Sequence, residues 1–451
     1  MSSRIAIFGA GYAGLVTGAC FAELGHSVVV RDIVPKKVAA LRAGEVPFYE
    51  PGVDDLIERN SERLDFTLDA AEAVAGAEFV FICVDTPPTY SGDADLSRVW
   101  TVIEELPASA ERLILVMKST VPVGTGEKVR AALDARGLNA VGYASNPEFL
   151  AEGTAVRDFL RPDRIVVGAF EEADAEAVQQ LHAGLDAPVV RTDVASAEMI
   201  KLASNAFLGT RISFINEIAN VCELVGADVN DVARGMGLDA RIGTSYLRPG
   251  VGFGGSCFPK DISFLKLLAG NSGYHFQLLN SVIEVNELQK RRVVGKLQKH
   301  LGSLRGKTVA LLGLAFKANT DDLREAPSIV LASRLLAEGA DVRAWDPVAD
   351  ASEVLKGVSF HETVLETVTG ADAAVVVTEW EQLRSLASAE TRQAMRTPLV
   401  IDGRNLLDPD EVRAAGFAYE GIGRASSPLD VLPEIEEPAQ PLPERAPARE
   451  D

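Results

Sequence analysis

The sequence predicts an α/β protein with two doubly wound parallel sheets joined by a long central helix. Short apolar runs alternate with helical stretches over the first ~190 residues. An uninterrupted helical pattern follows from Ala195 to Val225. A second strand–helix alternation begins at Lys307.

In the first half, strands are expected at Arg4–Phe8, Ser27–Arg31, Phe79–Val84, Leu113–Lys118, Ala140–Ala144 and Arg164–Gly168, with helices such as Leu15–Leu24 and Lys36–Ala43 between them. In the middle, Met199, Leu202, Phe207, Ile215, Ile218, Ala219 and Cys222 fall near helical spacing, and no proline interrupts them. A further helical region is expected over Tyr274–His300. These segments would join the halves and offer a dimer surface. In the second half, strands are expected at Thr308–Leu312, Asp341–Trp345, Ala373–Thr378 and Leu399–Asp402, with a helix at Ser328–Glu338. The expected domains are residues 1–193, 194–303 and 304–427. Residues 428–451 hold six prolines and an acidic excess, the composition of a disordered tail.

Composition excludes several classes. Lys plus Arg is 44 and Asp plus Glu is 65, a net charge of −21. That leaves no general basic face for nucleic acid or an anionic membrane. A hydrophobic fraction of 47% excludes a mainly disordered chain. Four cysteines without a CxxC exclude a disulfide scaffold or a Cys₄ zinc site and point to a reducing, cytoplasmic compartment. No metal site is expected. Residues 5–22 are uncharged, but Gly9, Gly11, Gly14 and Gly18 punctuate them, so they read as strand, turn and helix rather than a signal peptide or membrane span.

Gly9-Ala10-Gly11-Tyr12-Ala13-Gly14 follows a strand and opens a helix. Gly9 allows the tight turn, Gly11 lets the backbone approach a pyrophosphate, and Gly14 allows close helix–strand packing. The helix N-terminus supplies free N–H groups to the phosphates. Asp32, at the end of the second strand, stands where a carboxylate takes the adenosine ribose hydroxyls of NAD and repels the 2′-phosphate of NADP. Arg31, its neighbour, should point the other way. The loops Asp85-Thr86-Pro87-Pro88 and Ser119-Thr120-Val121-Pro122 lie past strand ends, where ligands sit in open sheets.

Asn146-Pro147-Glu148-Phe149-Leu150-Ala151-Glu152-Gly153 places two carboxylates four apart. On a helix they would share one face and could move protons, or could simply be solvated. Lys201 and Asn205 are also four apart. They could converge on an oxyanion, or be a snorkelling lysine and a surface amide. In Gly250–Asp261, four glycines let the backbone wrap a ligand. Pro259 suits a first helical turn, so Cys257 stands at a helix N-terminus beside Lys260, with Asp261 one turn on. Dipole and cation would lower the thiol's pKa and activate a nucleophile. Cys20, Cys83 and Cys222 sit in apolar contexts and read as structural. Gly313–Lys317, Arg324 and Asp402-Gly403-Arg404 put cations on the second half of an acidic chain, which suits an anionic ligand such as a nucleotide-sugar diphosphate.

These motifs, in this order, resemble the UDP-glucose/GDP-mannose dehydrogenase family from residue 4 to about 425. Arg241-Ile242-Gly243 and Thr320–Pro327 fit as well. The resemblance implies an NAD-binding Rossmann domain, a long central helix used for homodimerisation, and a C-terminal UDP-sugar domain. It implies four-electron oxidation of the C6 alcohol of UDP-glucose to a carboxylate with two NAD⁺, with GDP-mannose or a UDP-N-acetylhexosamine as the alternative substrate. By that resemblance Cys257 is the nucleophile, and Lys201 and Asn205 stabilise the substrate oxygen. Asp261 and Thr120 hold the water, and Glu148 or Glu152 assists thioester hydrolysis. Gly9, Gly11, Tyr12, Ala13, Gly14, Asp32, Lys37, Thr86, Thr120, Glu152, Lys260 and Arg324 would contact NAD. Glu148–Glu152, Lys201, Asn205, Gly254, Lys317 and Arg404 would hold the UDP-sugar. Tyr246-Leu247-Arg248-Pro249-Gly250 would pass over the sugar, and Arg241 would reach across a subunit boundary. Ala13 departs from the family pattern, which favours a larger aliphatic residue there.

Overall fold

A computed structural model describes residues 2–107 and 113–424; the tail assigned from residue 428 lies outside them. The first sheet has eight strands: β1 (Arg4–Phe8), β2 (Ser27–Arg31), β3 (Leu64–Thr67), β4 (Phe79–Ile82), β5 (Ile114–Met117), β6 (Gly142–Ser145), β7 (Ile165–Ala169) and β8 (Val189–Thr192). Their order is β3-β2-β1-β4-β5-β6-β7-β8. The second sheet comprises β9 (Thr308–Leu312), β10 (Asp341–Trp345), β11 (Val358–Phe360), β12 (Ala373–Val376), β13 (Leu399–Asp402) and β14 (Ala418–Gly421), in the order β11-β10-β9-β12-β13-β14. Apolar clusters cover both faces of each sheet. In each, the strand order reverses beside the first strand, which opens a crevice at the carboxyl ends of β1 and β4, and of β9 and β12.

Two differences from the sequence reading matter. The strands it omits, β3, β8, β11 and β14, are the four sheet edges. An edge strand has one hydrogen-bonded neighbour and needs no continuous apolar run; β8 and β11 are largely solvent-facing. The first sheet is also not wholly parallel, because β7 runs antiparallel to β6, with Ala144 opposite Ala169 and Ser145 opposite Gly168. The chain therefore leaves β6 and enters β7 at the same end of the sheet. Residues 146–164 turn back without a full crossover, and their helix, Ala155–Leu160, packs against the helix Tyr12–Glu23.

The central helix, Val194–Val225, is 32 residues long, about 48 Å at 1.5 Å per residue. Asp193 caps it by accepting the Ser196 N–H, and Gly226 ends it at φ +78°. Gly209 lies against Ile262 of the helix Phe258–Asn271, and a Cβ there would come 2.5 Å from the Ile262 Cδ1. That close approach draws the neighbouring turns, with Asn205 and Asp261, together. The region Tyr274–His300 forms two helices, Gln277–Gln289 and Arg292–Leu301, separated at the buried Lys290. No described helix is long and apolar enough to cross a membrane.

The glycine turn after β1 has unequal tolerances. A Cβ on Gly14 would be driven into the Gly9 carbonyl oxygen, whereas one on Gly11 meets nothing within 4 Å. Gly14→Ala should lower the melting midpoint by about 5 °C or more, and Gly11→Ala by less than about 2 °C. Thermal denaturation followed by circular dichroism checks this; equal shifts would mean that the turn opens around a methyl group.

Candidate active site

A cleft of about 1000 Å³ lies between the carboxyl ends of the two sheets. The loop after β6, the central helix, the Gly252–Phe258 loop and the loops after β9, β12 and β13 all line it. Eight of its lining side chains are Lys or Arg and five are Asp or Glu, the reverse of the chain's overall balance. Such a site suits an anion.

At its centre, Lys201 Nζ donates to Glu148 Oε1 at 2.7 Å, and both side chains are buried. Burial pushes the Glu148 carboxyl up, but the Lys201 ammonium, the Leu150 N–H and Lys118 outweigh it and hold it below the ordinary carboxylate range. Burial likewise pulls Lys201 down, and Glu148, Asp261 and Cys257 together raise it above its usual value. One turn along, Asn205 Nδ2 donates to Asp261 Oδ2 at 2.6 Å. Lys201 and Asn205 thus face Glu148, Asp261 and Cys257, as a converging pair and not as surface groups.

Cys257 is the N-cap of the helix Phe258–Asn271 and lines the cleft. Its thiol does not match the expectation of a lowered pKa. Burial, then Glu148, push it up to about 11, against the opposing pull of Lys201. Lys260 pairs instead with Asp261 Oδ1 at 3.0 Å. The other three cysteines are buried in apolar clusters.

The segment Asn146–Gly153 is a loop, not a helix, so its carboxylates diverge. Glu148 meets the central helix. Glu152 crosses to the second half, accepting from Thr320 Oγ1 at 3.1 Å and lying 3.6 Å from Arg324. Burial, then Asp322, push Glu152 up to about 7. Ser256 Oγ also donates to Glu152 Oε1 at 3.3 Å. Phe149, Leu150 and Ala151 line the cleft, and the Phe149 ring has the Arg164 guanidinium 3.5 Å and the Lys201 ammonium 5.5 Å from its centroid.

On the cofactor side, Asp32 stands beside the glycine turn, accepting from the Ala10 and Val34 N–H groups and from Lys37. Arg31 points away and pairs with Glu105. Gly11 caps the helix Tyr12–Glu23 with open space where a Cβ would stand and no side chain hydrogen-bonded at the cap. These features fit a dinucleotide, with pyrophosphate at Gly11 and ribose at Asp32. The Tyr12 hydroxyl donates to buried Glu50, which also accepts from the Gly153 and Ala155 N–H groups. Ala13 continues the same helix. Thr86 Oγ1 donates to the Thr120 carbonyl at 2.8 Å; Thr120 therefore joins the loops after β4 and β5 and does not line the cleft. Arg324 forks onto Asp322.

On the sugar side, Lys317 lines the cleft and has no carboxylate within 4 Å among the described residues. Arg404 also lines it, yet donates to the Val377, Phe316 and Gly252 carbonyls and braces three loops. Gly254 packs its backbone on Glu325, leaving no room for a Cβ. Tyr246 and Arg248 reach the cleft. Leu247, Pro249 and Gly250 do not: Leu247 packs in an apolar cluster, and Gly250 bonds to Asn216 and Gln289. Arg241 is exposed on Asp239, outside this cleft. Sequence reasoning did not select Lys118, Arg157, Arg161 and Arg164, all on the cleft wall. Only the antiparallel β6–β7 step brings the last three there.

Glu148 beside the thiol disfavours its ionisation. Glu148→Gln removes that charge and frees Lys201, so the thiol pKa should fall. Alkylation of Cys257 by iodoacetamide at pH 8 should then quicken by about threefold or more. Intact-protein mass spectrometry reads the rate; an unchanged or slower rate would detach Glu148 from the thiol.

Residues 3–186 match the NAD binding domain of the UDP-glucose/GDP-mannose dehydrogenase family, residues 195–288 its central domain, and residues 310–409 its UDP binding domain. The chain is 47% identical over 441 residues to the UDP-glucose 6-dehydrogenase of Pseudomonas aeruginosa, covering 93% of this chain and 97% of that one. It is 44% identical over 432 residues to UDP-glucose 6-dehydrogenase TuaD of Bacillus subtilis, covering 93% of each. A solved UDP-glucose dehydrogenase from Pyrobaculum islandicum superposes with a TM-score of 0.88 at 39% identity, over 94% of this chain and 98% of that one. With all three domains matched in order and two sheets that open onto one cleft, the chain belongs to the UDP-glucose/GDP-mannose dehydrogenase family.

Proposed function

We propose that this protein oxidises the C6 alcohol of UDP-glucose to the carboxylate of UDP-glucuronate, using two NAD⁺. The observation that carries the reading is a cleft-lining cysteine facing Lys201, Asn205, Asp261 and Glu148 in a site with a cationic excess. Two curated relatives at 44% and 47% identity carry the name UDP-glucose 6-dehydrogenase, which favours UDP-glucose over GDP-mannose or a UDP-N-acetylhexosamine. We also assign a cytoplasmic location, from the free cysteines.

The chemistry follows from the side chains. Bound NAD supplies the hydride acceptor for each of the two oxidations. Lys317 takes the diphosphate, and Gly254, whose backbone packs on Glu325, forms part of the cleft wall beside the sugar. Lys201 has three N–H donors; one holds Glu148, and another can meet the C6 oxygen beside Asn205. Asp261 receives the alcohol proton through water. Cys257 then adds to the aldehyde, and Glu148 and Asp261 are the carboxylates facing the proton it gives up. The resulting thiohemiacetal keeps the aldehyde from escaping, and its oxidation yields a thioester. Glu148, held ionised, activates the water that hydrolyses it. Glu152, pushed up to about 7 by burial and Asp322, stands between Ser256 of the cysteine loop and Thr320 and Arg324 of the second half.

A homodimer is part of this proposal. Phe207, Phe214, Val221, Leu224 and Val225 are all exposed along the central helix. Their spacing forms one apolar stripe that a second copy would cover.

Limiting UDP-glucose with excess NAD⁺ should give two NADH per sugar, and GDP-mannose or UDP-N-acetylhexosamines should give far slower turnover. A ratio of one with free aldehyde would overturn the four-electron assignment. Cys257→Ser should lower turnover by orders of magnitude, because a serine hydroxyl stays protonated and its ester resists water better than a thioester does. Mass spectrometry of that variant after mixing with both substrates should find a sugar adduct; near-normal turnover by unmodified protein would remove Cys257 as nucleophile.

A further inference from the structure

Resting on the reaction just proposed, we infer that Lys118 is a positioning residue. Anchored on Asn146, its buried ammonium fixes the segment that carries Glu148 and sets a second positive charge near the Glu148–Lys201 pair.

Lys118 directly follows β5, is 4% exposed and lines the cleft. Its ammonium donates to Asn146 Oδ1 at 3.0 Å, a neutral acceptor, and sits 5.8 Å from the Phe159 ring centroid. No carboxylate lies within 4 Å of it among the described residues. A buried ammonium without a paired carboxylate is costly, and an apolar side chain of that size would serve packing better. What the charge achieves is local. Asn146 Nδ2 donates to the Val166 carbonyl at 2.8 Å, and its N–H donates to the Met117 carbonyl at 2.9 Å. Lys118 completes this knot between β5, β7 and the loop that carries Glu148 two residues later.

Glu148, Lys201, Cys83, Cys20 and His182 are the titratable groups that act on Lys118 or feel its charge. Burial, with help from Lys201, pulls the Lys118 ammonium down to about 8, against Glu148 and the thiols. Glu148 in turn faces Lys201, Lys118, Arg164, Cys83 and Cys257. Removing the Lys118 charge leaves Glu148 with one fewer positive neighbour, so its pKa rises and the acid limb of turnover moves to higher pH.

The test is the kcat–pH profile with UDP-glucose and NAD⁺ for wild type, Lys118→Gln and Lys118→Arg. Glutamine can still donate to Asn146 but carries no charge. Lys118→Gln should lower kcat about tenfold, change KM for UDP-glucose less than about twofold, and raise the acid limb by about half a pH unit or more. Lys118→Arg should return the limb to the wild-type position. An unmoved limb in Lys118→Gln, or a moved one in Lys118→Arg, overturns the charge role. Should Lys118→Gln not fold, Asn146→Ser removes the anchor and keeps the charge; kcat should then fall with the limb in place, and wild-type kcat would overturn the anchoring. A wild type inactive on UDP-glucose would instead sink the proposed reaction.

Discussion

The buried pair between Lys201 and Glu148 is the interaction on which the site depends. It ties the central helix to the loop after β6, and neither partner can be lost without leaving the other charge buried. Breaking such a pair costs about 3–5 kcal/mol, a large share of a domain's stability. The pair also sets the electrostatics. It holds the Glu148 carboxyl below, and the Lys201 ammonium above, their ordinary ranges, against burial that pushes each the other way.

The close approach at Gly209 gives the pair its company. With no Cβ there, Ile262 settles against the central helix, and the adjacent turns bring Asn205 to Asp261 and Cys257 to Lys201. The thiol is left protonated in the resting site, because two carboxylates and burial outweigh one ammonium. A resting thiol suits a nucleophile that must wait for an aldehyde made in the same cleft: it becomes nucleophilic only as a proton acceptor takes its hydrogen.

The cofactor crevice and the chemical centre share one strap. Glu50 accepts from Tyr12, in the glycine turn, and from Gly153 and Ala155, just beyond Glu152. Glu152 itself reaches across to Thr320 and Arg324 of the second half. A side chain from the first glycine motif thereby braces the loop that links both halves at the cleft.

Much of this was legible in the sequence because it is local. The glycine turn with Asp32, the long helix with Lys201 and Asn205, and the glycine loop leading to Cys257 each carry their chemistry within one contiguous stretch, where steric and periodic rules apply directly. The remainder depends on contacts between stretches far apart in the chain. The edge strands β3, β8, β11 and β14 needed a neighbour to become strands, and β14 reads only Ala-Tyr-Glu-Gly. The antiparallel entry of β7 put Arg164 and its neighbours on the cleft wall, which spacing along the chain does not encode. The family resemblance supplied roles for Leu247, Pro249 and Gly250 at the cleft, but packing keeps these three off its wall. A thiol's pKa is likewise a sum over the charges and burial that packing gathers around it. The sequence alone therefore determined which reactive groups the chain carries; only the tertiary structure decided which of them face one another and in what state of charge.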